Sequence, residues 1–522
     1  MSQPKRRTVR VLARRLAPVA LVLVALSGCT FVGGGTPAGT PAPPTADGDP
    51  PAGVKDPAAD PALARFYGQR LSWRDCGDGY ECSDLTVPLD WSQPAGQTLE
   101  VAVTRLPASG DRIGSLVINP GGPGVSGIQY AQVARQAFGR DVLQHLDIVG
   151  FDPRGVGASD PVECMPDSQM DAYVAADSTP DNAAEITSIV SMARQFGDAC
   201  VSNTGPLIRH VDTLSVARDM DVLRAALGER VLMYHGASYG TFLGAWYAQT
   251  FPWRVGRMVL DGAVDPALGS EAYVRGQAQG FYRALNAYIA DCLDRAGCPL
   301  RGTQQQALGQ VGTMLARADS VPLRTRSGRL LTQSLMATGI AQALYSEQLW
   351  PELTSSLKAA LAGDGTGLLA LADLYLERDA HGHYGQVLAA NPAIYCLDSK
   401  ESRTPQQIAV DAAQLQRMYP PLGSTAGWGA LGCAEWPVKA VLSPQRLTAR
   451  GAAPILVVGT VDDPATPYEW AQALASQLSS GRLLTWEGHQ HTAYHQGSQC
   501  IDDAVEAYLL AGTLPPAGTR CQ

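Results

Sequence analysis

Val231-Leu-Met-Tyr-His-Gly-Ala-Ser-Tyr-Gly240 is the stretch whose reading decides the fold. Val231 to Tyr234 reads as a buried strand, Gly-Ala-Ser-Tyr-Gly interrupts it, and Thr241 to Thr250, stopping at Phe251-Pro252, reads as a helix. A strand that turns directly into a helix brings its flanking backbone segments very close together. Glycines two places either side of Ser238 remove the Cβ atoms that would collide there. The serine then stands at the strand tip with its hydroxyl projecting, which makes Ser238 the candidate nucleophile. So short a motif also arises by chance, and the weight falls on its surroundings.

Those surroundings alternate strands with helices. Leu99, Val101 and Val103 alternate with polar residues as in a half-buried strand, and Ser115 to Asn119 is a short apolar run emptying into Pro120-Gly-Gly-Pro-Gly124. Asp147 to Phe151 is another buried-strand candidate, followed by Asp152-Pro-Arg-Gly-Val-Gly-Ala-Ser159. Val216, Met220, Leu223 and Leu227 mark an amphipathic helix ending at Gly228, and Val255 to Leu260 reads as a strand leading into Asp261-Gly. After about residue 267 the pattern becomes a series of Ala- and Leu-rich helices (271–294, 304–318, 331–345, 350–361 and 367–378) with no buried strand between them. Strand signals return at Ile455 to Gly459 and Gly481 to Trp486. The expected architecture is α/β, a mostly parallel sheet covered on both faces and interrupted by an inserted helical lid. Its parts are a core over 61–266, the lid over 267–440 and the rest of the core over 441–522.

The extreme N-terminus carries an address. Lys5, Arg6, Arg7, Arg10, Arg14 and Arg15 precede the apolar run Leu16 to Leu26, too short for a comfortable membrane span, so residues 1–28 read as a signal peptide. Leu26-Ser27-Gly28-Cys29 resembles a bacterial lipobox, in which Cys29 would be lipidated; an ordinary secretory signal with an incidental cysteine is the alternative. Residues 29–60 are Gly, Pro, Ala, Thr and Asp with little to bury, the composition of a disordered tether. The chain has 11 cysteines, so setting Cys29 aside leaves an even number, as an oxidising compartment allows. Proximity in sequence suggests Cys76 with Cys82, Cys164 with Cys200, Cys292 with Cys298, Cys396 with Cys433 and Cys500 with Cys521, although spacing alone does not fix the pairing. No metal or cofactor is expected: there is no C-x-x-C pair and no Cys/His cluster. A net charge of −9 without a basic block beyond the first residues disfavours a nucleic-acid partner, and the membrane is expected to be met only through the Cys29 anchor.

A serine hydroxyl needs a base beside it and a carboxylate to hold that base in one tautomer. Asp462-Asp463-Pro-Ala-Thr-Pro467 begins just past the Ile455 strand, and His489-Gln-His491-Thr492 just past the Leu483 to Trp486 strand. Asp463 is preferred because the D-P-x-T-P turn starts with it. The order Ser, Asp, His is that of α/β-hydrolases. Backbone N–H groups of Tyr239 and of the Gly121-Gly122 loop, Gly122 in particular, are the candidates for an oxyanion hole. That loop lacks the lysine and hydroxyl residue of a phosphate-binding loop. Asp152 and Arg154 read as buttresses, and His145, His210 and His235 as packed or solvated side chains.

P-G-G-P-G at 120–124, F-D-P-R-G-V-G-x-S at 151–159, G-A-S-Y-G-T-x-L-G at 236–244, V-L-D-G at 259–262, D-P-A-T-P-Y-E at 463–469 and the closing cysteine pair together resemble the secreted tripeptidyl aminopeptidase family of actinobacterial α/β-hydrolases, kin to proline iminopeptidases. Its lipobox-bearing members resemble mycobacterial cell-envelope serine proteases. The resemblance runs from about residue 65 to the C-terminus. It implies release of short N-terminal peptides, often tripeptides, through an acyl-enzyme, with esterase activity on small substrates. It also favours His491 over His489, because His491 directly precedes Thr492 as in the family's G-H-T loops; Gln490, where glycine is usual, is a departure. Such an enzyme must recognise a free α-ammonium, and Glu377, Asp379 and Asp398 near the end of the lid are acids in a suitable region, each of which reads singly as a surface acid. The expected partner is a peptide or protein substrate. An acyl-ester hydrolase is the alternative within enzymes, and a catalytically silent binding lipoprotein the alternative outside them.

Overall fold

The structure, a computed structural model, describes residues 48–522. The signal segment, the lipobox with Cys29 and most of the expected tether lie outside the described residues. Twelve strands are described: β1 (Arg74–Gly77), β2 (Tyr80–Pro88), β3 (Thr98–Leu106), β4 (Gly114–Asn119), β5 (Leu146–Phe151), β6 (Leu232–Ala237), β7 (Val255–Asp261), β8 (Leu323–Arg324), β9 (Leu330–Leu331), β10 (Ile455–Thr460), β11 (Gly481–Trp486) and β12 (Arg520–Cys521). Ten form one sheet in the order β1-β2-β3-β5-β4-β6-β7-β10-β11-β12. From β5 to β12 every pairing is parallel, while β1, β2 and β3 add on antiparallel at one edge.

The central strands read as continuous apolar runs because both faces are buried. Val117, Val149, Leu260 and Val457 point to one face, packed with the helices Thr213–Ala226, Tyr239–Thr250 and Tyr468–Gln477. Leu116, Ile148, Val259 and Leu456 point to the other, under the helices Gly127–Gln132, Arg140–His145 and Gln499–Ala511. The period-two alternation splits adjacent residues of one strand between two cores.

Between β7 and β10 the chain is helical apart from the β8–β9 ribbon, whose two-residue strands leave no periodic trace in sequence. The helices Ser270–Asp294, Gln304–Ser320, Gln333–Leu344, Trp350–Leu361 and Thr366–Tyr375 fall within a few residues of expectation. Leu285, Ile289, Leu335, Ile340, Leu344, Leu353 and Leu368 give them a hydrophobic core of their own. The helix Val387–Asp398, absent from the sequence reading because Pro392 interrupts it, packs instead into the sheet's core through Ala390, Ala393, Ile394 and Leu397. All five cysteine pairings suggested by proximity are present as disulfides.

The end of the expected tether is not featureless. Asp56 caps the 3-10 turn Pro57–Ala59 and pairs with Arg254. Arg254 is buried beside Tyr67 and Asp221, and a second carboxylate helps offset the cost of removing its charge from water.

Candidate active site

Five loops meet at the C-terminal ends of β4, β6, β7, β10 and β11, which lie side by side in the sheet. From β4 the chain goes to β5 on one side and from β6 to β7 on the other, so the crevice between β4 and β6 is a topological switch point, where open α/β sheets bind ligands. Ser238 stands there. Its φ of +56° and ψ of −125° are rare for a residue with a side chain, and the helix starts at the next residue, Tyr239. The elbow is tight: a Cβ on Gly236 would lie 2.4 Å from the Gly240 carbonyl oxygen, and one on Gly240 2.7 Å from that of Asn119.

The β4 loop closes against this elbow. Asn119 Oδ1 accepts the Gly121 N–H at 3.0 Å, and a Cβ on Gly121 would lie 2.9 Å from Ser238 Cβ and 3.0 Å from the Tyr239 nitrogen. The Gly121 N–H is thereby used, whereas neither the Gly122 nor the Tyr239 N–H has an acceptor among the described residues. Both remain available to a ligand, as an oxyanion site requires.

Asp463 and His491 come together. His491 Nδ1 is 2.9 Å from Asp463 Oδ1 and 3.0 Å from Oδ2. The carboxylate also accepts the N–H groups of Ala465 and Thr466 at 2.9 and 2.8 Å, the Thr466 hydroxyl at 2.9 Å and the Thr492 N–H at 3.3 Å. A buried charge survives when donors surround it, and this one, 2% exposed, has five. Burial pulls the His491 imidazole down, but the Asp463 charge and hydrogen bond outweigh it and hold its pKa above the ordinary 6.5. With Nδ1 donating to Asp463, Nε2 is the ring's acceptor. Thr492, β-branched and yet at a φ of +66°, marks a strained turn held by its N–H to Asp463 and its hydroxyl to the His491 carbonyl at 2.6 Å.

His489 has no such place. Its side chain is 44% exposed and sits 2.9 Å from Asp462 without hydrogen-bond alignment. Gln490, the departure from the family pattern, is buried and donates to the Gln496 carbonyl at 2.9 Å, bracing the loop between the two histidines.

Two contributions escaped the sequence reading. Asp261, at the tip of β7, accepts the Ser238 N–H with its carbonyl at 2.8 Å, while its carboxylate accepts the N–H groups of Ala493 at 3.0 Å and Tyr494 at 2.9 Å. One residue thus ties the elbow to the histidine loop. Burial pushes its carboxyl up to about 6, against the pull of those backbone bonds and of His491. Its place in V-L-D-G was visible, but its reach across the sheet was not. The helical insertion is the other: the Tyr345 carbonyl accepts the His491 N–H at 2.9 Å with the ring edge-on to the imidazole at 5.4 Å, and Gly280 packs on the Pro464 carbonyl.

Arg154 is fully buried and spends all five donors, on Asp219, Pro88, Leu89 and His210, and Asp152 bonds Ser126 and the 158–159 turn, so both hold loops in place. His235 is buried between Phe138 and Tyr494, and burial lowers its pKa to about 4. Glu377 and Asp379 are exposed; Asp398 is not a surface acid but lies buried, accepting the Thr213 N–H at 2.9 Å and its hydroxyl at 2.5 Å.

A parallel sheet with a serine elbow at its switch point, and a histidine paired to a buried aspartate two strands beyond, defines the class: a serine hydrolase of the α/β-hydrolase fold. The sequence comparisons agree. The chain is 41% identical over 529 residues to serine protease Hip1 of Mycobacterium tuberculosis, covering 97% of this chain and 96% of the relative. It is 39% identical over 496 residues to carboxylesterase B of the same species (92% and 94%), and 32% identical over 482 residues to tripeptidyl aminopeptidase of Streptomyces lividans (88% of each). The family profile described as TAP-like protein matches residues 419–521. The chain belongs to the tripeptidyl aminopeptidase family of α/β-hydrolases. Among the described residues no helix is long and apolar enough to cross a membrane.

Proposed function

We propose that this protein is an exported serine peptidase that releases short peptides from the N-terminus of its substrate. The observation that carries the reading is the two-oxygen hold of Asp463 on His491 Nδ1, in a site whose serine is fixed at a strained elbow. His491 Nε2 takes the Ser238 proton as Oγ adds to the scissile carbonyl, and Asp463 stabilises the imidazolium so formed. The N–H groups of Tyr239 and Gly122 receive the oxyanion. On collapse His491 gives the proton to the leaving amine; water, activated by the same imidazole, then frees the acyl group and regenerates Ser238. Five disulfides and the N-terminal signal pattern support export, and Leu-Ser-Gly-Cys29 supports a lipid anchor on the outer face of the cytoplasmic membrane. The serine protease and aminopeptidase relatives support a peptide substrate.

The 39% identical carboxylesterase B keeps ester hydrolysis as a second reading, since the same constellation attacks both acyl groups. Mass spectrometry of products from peptides with free and N-acetylated termini separates them. Loss of N-terminal fragments from free peptides alone is the expected result; resistance of both sets, with cleavage of a simple acyl ester, would replace the peptidase by the esterase.

A further inference from the structure

Beside the elbow lies a narrow cavity whose wall includes Tyr239, next in sequence to Ser238, and Pro123 of the β4 loop. Two buried carboxylates, Asp265 and Asp398, face it, 8% and 7% exposed. No Lys, Arg or His lines it, and neither acid forms an ion pair among the described residues. The bonds of Asp265 are lopsided: Oδ1 accepts the Ala267 N–H at 2.9 Å and the Gln477 amide at 2.6 Å, whereas Oδ2 accepts nothing from the described residues. Asp265 as a whole is nearly buried, yet its Oδ2 keeps a solvent-reachable face, and a carboxylate so placed is stabilised by a cation that comes to it. The other walls choose the kind of cation. A hard metal ion needs about six oxygen ligands, but here the surroundings are Phe242, Tyr273 and Tyr395, with the two tyrosine rings 5.3 Å apart. Aromatic faces favour an organic cation.

We propose that this cavity is the subsite for a cationic group of the substrate, an ammonium or guanidinium, with Asp265 Oδ2 as its counter-charge and the aromatic rings as its walls. It rests on the peptide reading of the site and refines it. Asp265, rather than the exposed Glu377 and Asp379, then provides the negative charge beside the nucleophile; burial pushes the carboxyl of the second acid, Asp398, well up from the ordinary carboxylate range, so it ionises readily only beside a cation. The cation comes either from the substrate's α-amine or from a basic side chain, and both present the same charge to Asp265.

Calorimetric binding to the uncleaving Ser238→Ala protein tests this independently of turnover. The ligands are four tripeptide amides, free or N-acetylated, with lysine or norleucine at one position, titrated against Ser238→Ala and Ser238→Ala/Asp265→Asn. Asparagine keeps the Oδ1 acceptor for Ala267 and Gln477, and its thermal midpoint checks folding; Asp398→Asn serves as the second variant should the first fail to fold. The expected result is at least a tenfold preference for one cationic member of a pair, lost in the Asp265 variant. Loss of the free-over-acetylated preference identifies the α-amine, and loss of the lysine-over-norleucine preference the side chain. Equal affinities within both pairs, or a preference that survives both substitutions, overturns the proposal. Wild type that binds the cation but cuts none of the peptides would overturn the peptidase reading and leave the subsite standing.

Discussion

The sheet tip and the helical insertion are held together by different means. At the tip, individual atoms are assigned to one another: Asp463 accepts five bonds, and Asp261 bonds both the elbow and the histidine loop. The insertion is filled by Leu, Ile, Ala and Met side chains that exchange for one another at modest cost. Chemistry needs a donor or acceptor at one place, so residue identity is dictated there, whereas an apolar core needs volume and pattern. The largest functional effects should therefore cluster at the tip, and effects elsewhere should fall on stability.

Ser238→Ala is expected to break activity most completely, by about 10⁶-fold in kcat, with the thermal midpoint nearly unchanged. Unfolding of the variant in a melting scan would make the elbow serine structural. Next is Asp463→Asn, where the amide keeps the shape but loses the charge that orients His491. A loss of about 10⁴-fold is expected. The acid limb of the kcat/KM profile has its own sign: His491 must be neutral to take a proton, so activity rises as pH climbs through its raised pKa, above 6.5 in wild type. Any residual activity of Asp463→Asn should show that midpoint displaced downward, since the group that raises it is gone.

Asp261→Asn should cost less, on the order of 10-fold to 100-fold in kcat with little change in KM, because it displaces the histidine loop without touching substrate. Burial pushes its carboxyl up to about 6, and protonation there removes the charge that strengthens its bonds from the Ala493 and Tyr494 N–H groups. Wild-type activity should fall through that pH, and the variant should lose this component of its profile. Arg154→Met sharpens the contrast from the structural side. Breaking the buried pair with Asp219 strands a carboxylate and should lower stability by about 3–5 kcal/mol, with kcat per folded molecule close to wild type. His489→Ala should do least, below about threefold in kcat/KM, as befits an exposed ring. A loss as large as that of Asp463→Asn would transfer the base to His489.

The sequence was legible in the same uneven way. G-A-S-Y-G, P-G-G-P-G and D-P-A-T-P could be read because each spells a backbone geometry that few residues satisfy, and the strands around them because both faces are buried. The lid helices followed from their periodicity. Pro392 concealed Val387–Asp398, whose buried residues Ala390, Ala393, Ile394 and Leu397 join the sheet's core while Leu388 also touches the core of the insertion. Asp261 to Tyr494 and Tyr345 to His491 are contacts across 233 and 146 residues, and no local pattern encodes them. Nothing local to Asp265-Pro266 signals the Gln477 amide and the cavity that the fold places beside Asp265.

The most direct measurement of the central claim is labelling with a fluorophosphonate, followed by digestion and mass spectrometry, on wild type, Ser238→Ala and His491→Ala. A single adduct on Ser238 in wild type, absent from Ser238→Ala and strongly slowed in His491→Ala, is the predicted result. Labelling at another serine, or at Ser238 with the same rate when His491 is gone, would contradict it.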